Sequence, residues 1–237
     1  MIDWLTPRAS SFAGDIDWLF ALILGFVGFW FVVAEVVLFS FLFKFRRRRN
    51  ARARYVTGTL KTEKRWISVP HVLIILCDVV IIAATLSVWA AVKQSFPPAQ
   101  EKVRIVAQQW AWTFVHPGPD GALDTADDVT TIDELHVKTD TTYHFELTAK
   151  DVLHSFSVPA FRLKQDAVPG RVITGWFKPT TPGQYDVQCA EICGIGHGLM
   201  PARITVETKE QHDQWLRRAA APAGGLVATG PGGTPWR

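Results

Sequence analysis

The chain of 237 residues is organised around the segment Cys189-Ala-Glu-Ile-Cys193-Gly-Ile-Gly-His197-Gly-Leu-Met200. Two thiols, an imidazole and a thioether stand here in one short loop, and a second imidazole, His154, precedes them in the sequence. Sulfur and imidazole ligands select copper over calcium or magnesium. A mononuclear blue-copper site needs one Cys, two His and a weak axial Met, so the second Cys provides for two ions that share both thiolates. The segment predicts a binuclear copper centre for electron transfer.

The string C-x-E-x-C-x3-H-x2-M resembles the CuA loop of subunit II of the haem–copper cytochrome c oxidases. Three other blocks also resemble this family, and they are Asp151-Val-Leu-His154-Ser-Phe, Lys164-Gln-Asp166-Ala-Val-Pro-Gly170 and Gln109-Trp110-Ala-Trp112. The resemblance extends from the first hydrophobic segment to about Val206. It implies that the chain accepts electrons from cytochrome c or a similar carrier and passes them to haem in subunit I, where oxygen is reduced to water.

The resemblance also implies a role for each residue of the loop. Cys189 and Cys193 would bridge both coppers as thiolates, and Met200 would be a weak ligand of one of them. His154 and His197 would each bind one copper. Glu191 would bind the second copper through its backbone carbonyl. In the family the carboxylate at this position also helps to hold a magnesium or manganese ion at the interface with subunit I, and an ordinary outer carboxylate is the alternative.

Two further residues have roles that rest on the resemblance. Trp110 matches the surface tryptophan through which electrons arrive from cytochrome c, whereas Trp112 is expected to be core packing. Glu63, with Trp66 and Pro70, resembles the block whose glutamate lies at the mouth of a proton pathway into subunit I. Ile67 replaces the usual Thr of that block, so a salt bridge at the helix end is an equal alternative for Glu63.

Hydropathy predicts two transmembrane helices, because about 20 apolar residues span a bilayer. Between Lys44 and Arg65 there are ten Lys or Arg residues and a single acid, Glu63. The positive-inside rule places this loop in the cytoplasm and argues against a nucleic-acid patch. The predicted organisation is an external segment at 1–17, helices at 18–43 and 67–92 joined by a basic cytoplasmic loop at 44–66, an external domain at 97–207, and a short helix with a Gly/Pro-rich tail at 208–237.

From Lys102 the apolar residues alternate with period two, which predicts strands. The phase changes between Ala107 and Trp110, and a β-bulge is predicted there. Together with the copper ligands, the pattern predicts an all-β, cupredoxin-like Greek-key barrel behind the two-helix transmembrane hairpin. This architecture suits a bacterial-type plasma membrane, with the N-terminus and the copper domain on the periplasmic side.

Other features of the sequence leave alternatives open. Glu35 and Asp78 are costly within a membrane, and they indicate either a functional role or a hydrogen bond to a neighbouring subunit. The acidic loop at 120–128 is expected to be a solvated hairpin, with calcium binding or steering of a basic partner as alternatives. Cys189 and Cys193 could form a disulfide in an oxidised, metal-free form. A nitric oxide reductase can also carry a CuA subunit, and a solitary membrane-tethered copper protein is the third hypothesis.

Overall fold

The computed structural model describes residues 6–47 and 55–220. The chain divides into a helical unit built on Phe12–Phe96 and a β-domain that comprises Arg8–Ser11 and the chain from Pro97 onward. Parts of three predicted segments lie outside the described residues. These are the beginning of the external segment (1–5), the centre of the basic loop (48–54) and the Gly/Pro-rich tail (221–237).

Among the described residues, two long helices make up the helical unit. Helix α1 covers Ala13–Lys44, and helix α2 covers Lys61–Trp89 and continues as a short π-helical segment, Ala90–Gln94. Both are long and apolar enough to cross a membrane, with most of their large apolar side chains exposed. Glu35 lies within α1 and Asp78 within α2. Outward-facing apolar side chains over such lengths are typical of helices solvated by lipid.

The described part of the β-domain, which ends at residue 220, contains ten strands. In chain order they are β1 (Glu101–Gln108), β2 (Ala111–His116), β3 (Val129–Ile132), β4 (Glu134–Lys138), β5 (Tyr143–Ala149), β6 (His154–Val158), β7 (Leu163–Ala167), β8 (Ile173–Phe177), β9 (Gly183–Cys189) and β10 (Ala202–Glu207). One sheet has the order β3-β2-β1-β5-β8 and the other has the order β4-β10-β9-β6-β7. The predicted fold class, two apolar helices followed by an all-β cupredoxin-like domain, is confirmed.

Apolar side chains from both sheets fill the space between them. Strands β1 and β5 each bury every second residue, as the period-two pattern requires. Phe156 of one sheet meets Phe114 and Phe145 of the other, with ring centroids 6.3 and 6.2 Å apart. Each buried aromatic side chain removes roughly 150–250 Å² from water, so these contacts account for much of the stability of the domain.

The change of phase after β1 has a different cause from the predicted bulge. Gln108 of β1 pairs directly with Ala111 of β2, so Gln109 and Trp110 form a two-residue turn between antiparallel strands. The prediction of a bulge is therefore wrong, because the chain reverses direction at this point. The turn places Trp110 at one end of the sandwich.

A short N-terminal segment completes the β-domain. The Ala9 N–H donates to Ala160 O at 2.9 Å, and Ala9 O accepts from the Thr180 N–H at 2.9 Å. The Ser10 hydroxyl donates to Phe161 O at 2.8 Å, and Ala9 and Ser10 are both buried. At the other end of the sequence, helix α3 (Lys209–Ala220) coincides with the predicted short helix and also belongs to this domain.

Candidate metal centre

The register between β6 and β9 brings the first two candidate ligands together. Phe156 of β6 pairs with Cys189, the last residue of β9, and the Ala190 N–H donates to Ser155 O at 3.0 Å. His154 begins β6, so its ring lies beside the Cys189 thiol, with Nδ1 and Sγ 3.9 Å apart. The pairing of β6 with β9 thus brings together two residues that are 35 positions apart in the sequence.

The loop from Cys189 to Met200 folds its donor atoms towards one another. Cys193 Sγ lies 3.9 Å from Cys189 Sγ, 3.6 Å from His197 Nδ1 and 3.5 Å from Met200 Sδ. The Glu191 carbonyl oxygen lies 3.3 Å from Cys189 Sγ. Donor atoms of His154, Cys189 and Cys193 all lie within 4.8 Å of one another. Six sequence-predicted residues therefore contribute atoms to one cluster of thiol, imidazole, thioether and carbonyl groups.

Two glycines allow the loop to pass beneath Trp110. A Cβ on Gly196 would lie 2.3 Å from Trp110 Cδ2, and one on Gly194 would lie 3.2 Å from Trp110 Cζ2. Gly194 also has φ +118, a conformation that strongly favours glycine. The Trp110 indole N–H donates to Cys193 O at 3.3 Å, and 38% of the residue remains exposed. Trp110 thus joins the surface to the backbone of a candidate ligand.

Trp112 is buried on the other side of the cluster. Its indole N–H donates to Met200 O at 3.1 Å, and its ring meets the His154 ring edge-on at 6.2 Å. The expectation of core packing describes its full burial, and in addition the side chain holds the end of the loop. Met200 is 1% exposed, so its thioether is kept away from water.

Asp151 fixes the orientation of the His154 ring. His154 Nε2 lies 2.9 Å from Asp151 Oδ1, and because an ionised carboxylate only accepts hydrogen bonds, Nε2 carries the proton and Nδ1 presents its lone pair to Cys189. Partial burial opposes ionisation of Asp151, but hydrogen bonds from the Gln109 N–H, His154 and the Val152 N–H outweigh it and lower its pKa. The carboxylate is therefore charged at neutral pH.

The thiol pair fits a soft cation. Burial and the neighbouring Cys189 raise the pKa of Cys193 to about 11, so at neutral pH this thiol stays protonated unless positive charge arrives. A bound metal ion supplies that charge and deprotonates its thiol ligands. Two sulfurs, two imidazoles and a thioether in a half-buried pocket match the ligand preferences of copper.

Two other predicted residues have structural partners. The Glu191 carboxylate accepts from Lys164 Nζ at 3.0 Å, and this ion pair raises the pKa of Lys164. Glu63 lies outside the cluster, in the first turn of α2, where its Oε2 accepts from the Gly58 N–H at 3.0 Å and the Leu60 N–H at 3.4 Å. It therefore caps the N-terminus of α2 by reaching back to orphan amide groups.

Similarity to known proteins places this chain in a family. The sequence profile of "Cytochrome C oxidase subunit II, periplasmic domain" matches residues 102–208. The alternative cytochrome c oxidase subunit 2 of Bradyrhizobium diazoefficiens is 32% identical over 93% of this chain and 86% of its own length. The chain belongs to the cytochrome c oxidase subunit II family. Cytochrome c oxidase subunit 2 of Cereibacter sphaeroides is 30% identical over 90% of this chain and 78% of its own length.

The periplasmic domain of subunit II of cytochrome oxidase of Bradyrhizobium japonicum superposes with a TM-score of 0.47 at 27% identity, over 53% of this chain and 96% of that domain. Membership of the subunit II family makes this chain a subunit of a haem–copper oxidase complex, an oxidoreductase that contains other subunits. The family binds copper, in agreement with the His154, Cys189 and Cys193 cluster.

Sequence reasoning missed three contributors to the site. Asp151 stands in a quoted block three residues before His154, and this spacing next to a candidate ligand is a usable signal for a supporting carboxylate. Gln109, whose side-chain amide donates to Cys193 O at 2.8 Å, gave no comparable signal. The ion pair of Lys164 with Glu191 joins residues 27 positions apart and depends on the fold alone.

Proposed function

We propose that this subunit holds a binuclear CuA centre that receives electrons from cytochrome c, or a similar carrier, for transfer to haem in subunit I. The observation that carries the proposal is the convergence of Cys189, Cys193 and His154 within 4.8 Å. His197 Nδ1 and Met200 Sδ, both within 3.6 Å of Cys193 Sγ, and the Glu191 carbonyl complete the proposed ligand set. Bound there, copper would supply a one-electron carrier.

The protein would contribute a rigid ligand frame. His154 is fixed by a strand and by Asp151, and the loop is fixed at Met200 O by Trp112 and at Cys193 O by Gln109 and Trp110. These hydrogen bonds at two loop carbonyls and at the His154 ring restrict the movement of the proposed ligands. A frame that does not relax between oxidation states favours rapid electron transfer, because little reorganisation accompanies each electron.

Trp110 is the proposed point of electron arrival. Its exposed ring faces solvent at one end of the sandwich, and its indole nitrogen bonds to the carbonyl of Cys193. A donor docked on this ring would be separated from a copper-bridging thiolate by one side chain and one residue of backbone. The charged Asp151 carboxylate beside the same turn would attract a basic donor such as cytochrome c.

The Glu191 carboxylate would serve a different ion. Hard carboxylate oxygens suit magnesium or manganese, and the remaining ligands would come from subunit I. The Glu191 carboxylate already pairs with the cationic Nζ of Lys164, which supports a role in binding a positive ion. For Glu63, the cap on α2 favours a helix-stabilising role over the mouth of a proton pathway.

Chain connectivity and charge support the proposed membrane orientation. Residues just before α1 are hydrogen-bonded into the β-domain that follows α2, which supports two crossings with both ends on one side. The basic loop between the helices supports a cytoplasmic position for that loop. The copper domain would then face the periplasm of a bacterial-type plasma membrane.

The test is made on the native membrane complex isolated through this subunit. Reduced cytochrome c is supplied, and consumption of oxygen and of nitric oxide is followed side by side. Oxygen uptake that outruns nitric oxide consumption, together with two coppers per subunit, supports the proposal. The reverse order would move the subunit to a nitric oxide reductase, and a complex with no turnover and no haem partner would leave a solitary copper protein.

A further inference from the structure

One carboxylate touches both the copper-ligand side and the electron-arrival side of the site. Asp151 Oδ1 accepts from His154 Nε2 at 2.9 Å and from its neighbour Val152 N at 2.7 Å. Asp151 Oδ2 accepts from the backbone N–H of Gln109 at 2.7 Å. Gln109 is the first residue of the two-residue turn that carries Trp110. The two oxygens of one side chain therefore join β6 to the β1–β2 turn.

The loop from Cys189 to Met200, called the copper loop below, contacts the same turn from its opposite side. Gln109 Nε2 and Trp110 Nε1 both donate to the carbonyl of Cys193, at 2.8 and 3.3 Å. These hydrogen bonds link His154 through Asp151 and Gln109 to Cys193, and together they form part of a closed ring of contacts. Cys189 closes it, since its sulfur lies 3.9 Å from both Cys193 Sγ and His154 Nδ1.

We propose that Asp151 is a positioning residue that fixes the copper-facing nitrogen of His154 and the location of Trp110 at the same time. The inference rests on the proposed function and deepens it, because it couples the point of electron arrival to the metal ligands through one side chain. The residue touches neither copper nor donor in this role, and it acts through His154 and through the Gln109 amide.

The chemistry requires a carboxylate at this position. Both partners are N–H donors, so the side chain must present an acceptor on each of two oxygens. An asparagine keeps one carbonyl oxygen and turns an NH₂ group towards the second donor, so one of the two hydrogen bonds must be lost. It also removes a negative charge next to the imidazole, and loss of that charge disfavours the oxidised, more positive form of a nearby metal.

The functional test compares Asp151→Asn with Asp140→Asn in the isolated oxidase complex. Asp140 is exposed in the turn before β5, whereas Asp151 follows the other end of that strand, Ala149. The positive φ of Asp140 is tolerated by Asn. For Asp151→Asn we expect two coppers to be retained, a reduction potential above that of the control, and a maximal electron-uptake rate lower on the order of tenfold. This decrease in the maximal rate should persist at high salt, where the electrostatic attraction of the donor is screened.

A purely docking role predicts a different pattern. In that case Asp151→Asn would raise the KM for cytochrome c in a salt-dependent manner and leave the maximal rate and the potential equal to those of Asp140→Asn. That result would overturn the proposal. An unchanged potential with a reduced maximal rate would also overturn it, because the His154 half of the proposal would have failed.

A metal-free measurement separates this inference from the proposed function. The full chain is labelled with ¹⁵N-histidine, stripped of metal, and the protonated nitrogen of His154 is read from its NMR shifts. The unsubstituted chain should show the Nε2–H form, and Asp151→Asn should show a mixture of tautomers. An unchanged tautomer would contradict the inference, whereas failure of the proposed function would appear as an unsubstituted chain that binds no copper pair.

Discussion

The indole ring of Trp110 lies against the backbone of Gly196, where an added Cβ would stand only 2.3 Å from Trp110 Cδ2. We expect Gly196→Ala to push the ring away from the copper loop. Gly196 has φ −89, which alanine also adopts, so the effect would be steric. Electron uptake from reduced cytochrome c should fall on the order of tenfold or more, because small displacements at such sites have large kinetic effects. Stopped-flow reduction of the complex measures this rate.

Gly198→Ala is the matched control for that substitution. Gly198 lies in the same loop, and a Cβ built on it meets no atom within 4 Å. Its electron-uptake rate should equal that of the unsubstituted complex, and both variants should retain two coppers. If electron uptake slowed equally in both variants, the cause would be any added methyl group in the loop. The specific contact between Gly196 and Trp110 would then have no role in electron uptake.

Cys193→Ser should abolish the binuclear centre without unfolding the domain. A serine hydroxyl is similar in shape to the buried thiol and only slightly smaller, but it supplies no soft thiolate to bridge two coppers. Copper analysis should find fewer than two ions per chain, and the mixed-valence electron paramagnetic resonance signal should disappear. Cys77→Ser, in helix α2, should change neither. Two coppers with an intact mixed-valence signal in Cys193→Ser would refute the ligand assignment.

Glu191→Gln should separate the two roles proposed for that residue. The backbone carbonyl beside Cys189 survives the change, so the copper signals should be retained. The carboxylate that pairs with Lys164 is lost, so binding of manganese at the subunit interface should weaken on the order of tenfold. Manganese resonance spectra of the whole complex report on this directly, with Glu210→Gln on helix α3 as a charge-matched control. Equal manganese occupancy in both variants would assign the ion to other residues.

The stability of the β-domain should fall as pH drops below 6.5. Burial lowers the pKa of His116 to about 3, and nearby His212 and His136 lower it further. Burial and nearby Lys138 lower the pKa of His212 to about 4. Both folded pKa values lie below the unfolded value of about 6.5. The contribution of these two histidines to stability is therefore fully present above about pH 6.5, and it is lost at lower pH because the unfolded state takes up protons there. At pH 5 each histidine should lower the free energy of unfolding by about 2 kcal/mol relative to its value above pH 6.5.

Denaturant unfolding of the full chain between pH 7.5 and 5 measures this effect. Trp215 packs against both histidines and stacks on His136 at 4.1 Å, so its fluorescence reports on the cluster. Carboxylates also face these rings, including Glu134 and Glu207 on His136, and Glu101 and Asp213 around Lys138. Substitution by Gln at His116 and at His212 should flatten the pH dependence. An equally steep dependence in the double variant would assign it to the carboxylates.

Much of the candidate site could be predicted because most of its candidate ligands come from one short loop. Residue types, their spacing and the family resemblance together predicted Cys189, Cys193, His197 and Met200 as ligands, since a short loop keeps sequence neighbours close in space. A short helix was also predicted within 208–237, and helix α3 (Lys209–Ala220) lies in that segment. The turn at Gln109 was misread as a bulge, because a two-residue turn and a bulge shift a period-two pattern in similar ways.

Other relationships could not be read from the sequence because they join distant positions. Asp151 and Gln109 are 42 residues apart, and no local pattern links them. His116, His136 and His212 lie on two sheets and a helix, and only the packing of α3 brings them around Trp215. Such contacts depend on which strands become neighbours, and a period-two pattern does not determine that order.

The hydrogen bonds of Ala9 and Ser10 impose an order on how the protein is made. These residues are synthesised before their partners Ala160, Phe161 and Thr180, which follow both helices and most of the β-domain. Ala9 and Ser10 can therefore form these hydrogen bonds only after most of the β-domain has been synthesised. Fragments that begin after the second helix would lack this segment, and their exposed carbonyl groups at Ala160 and Phe161 would be left to water.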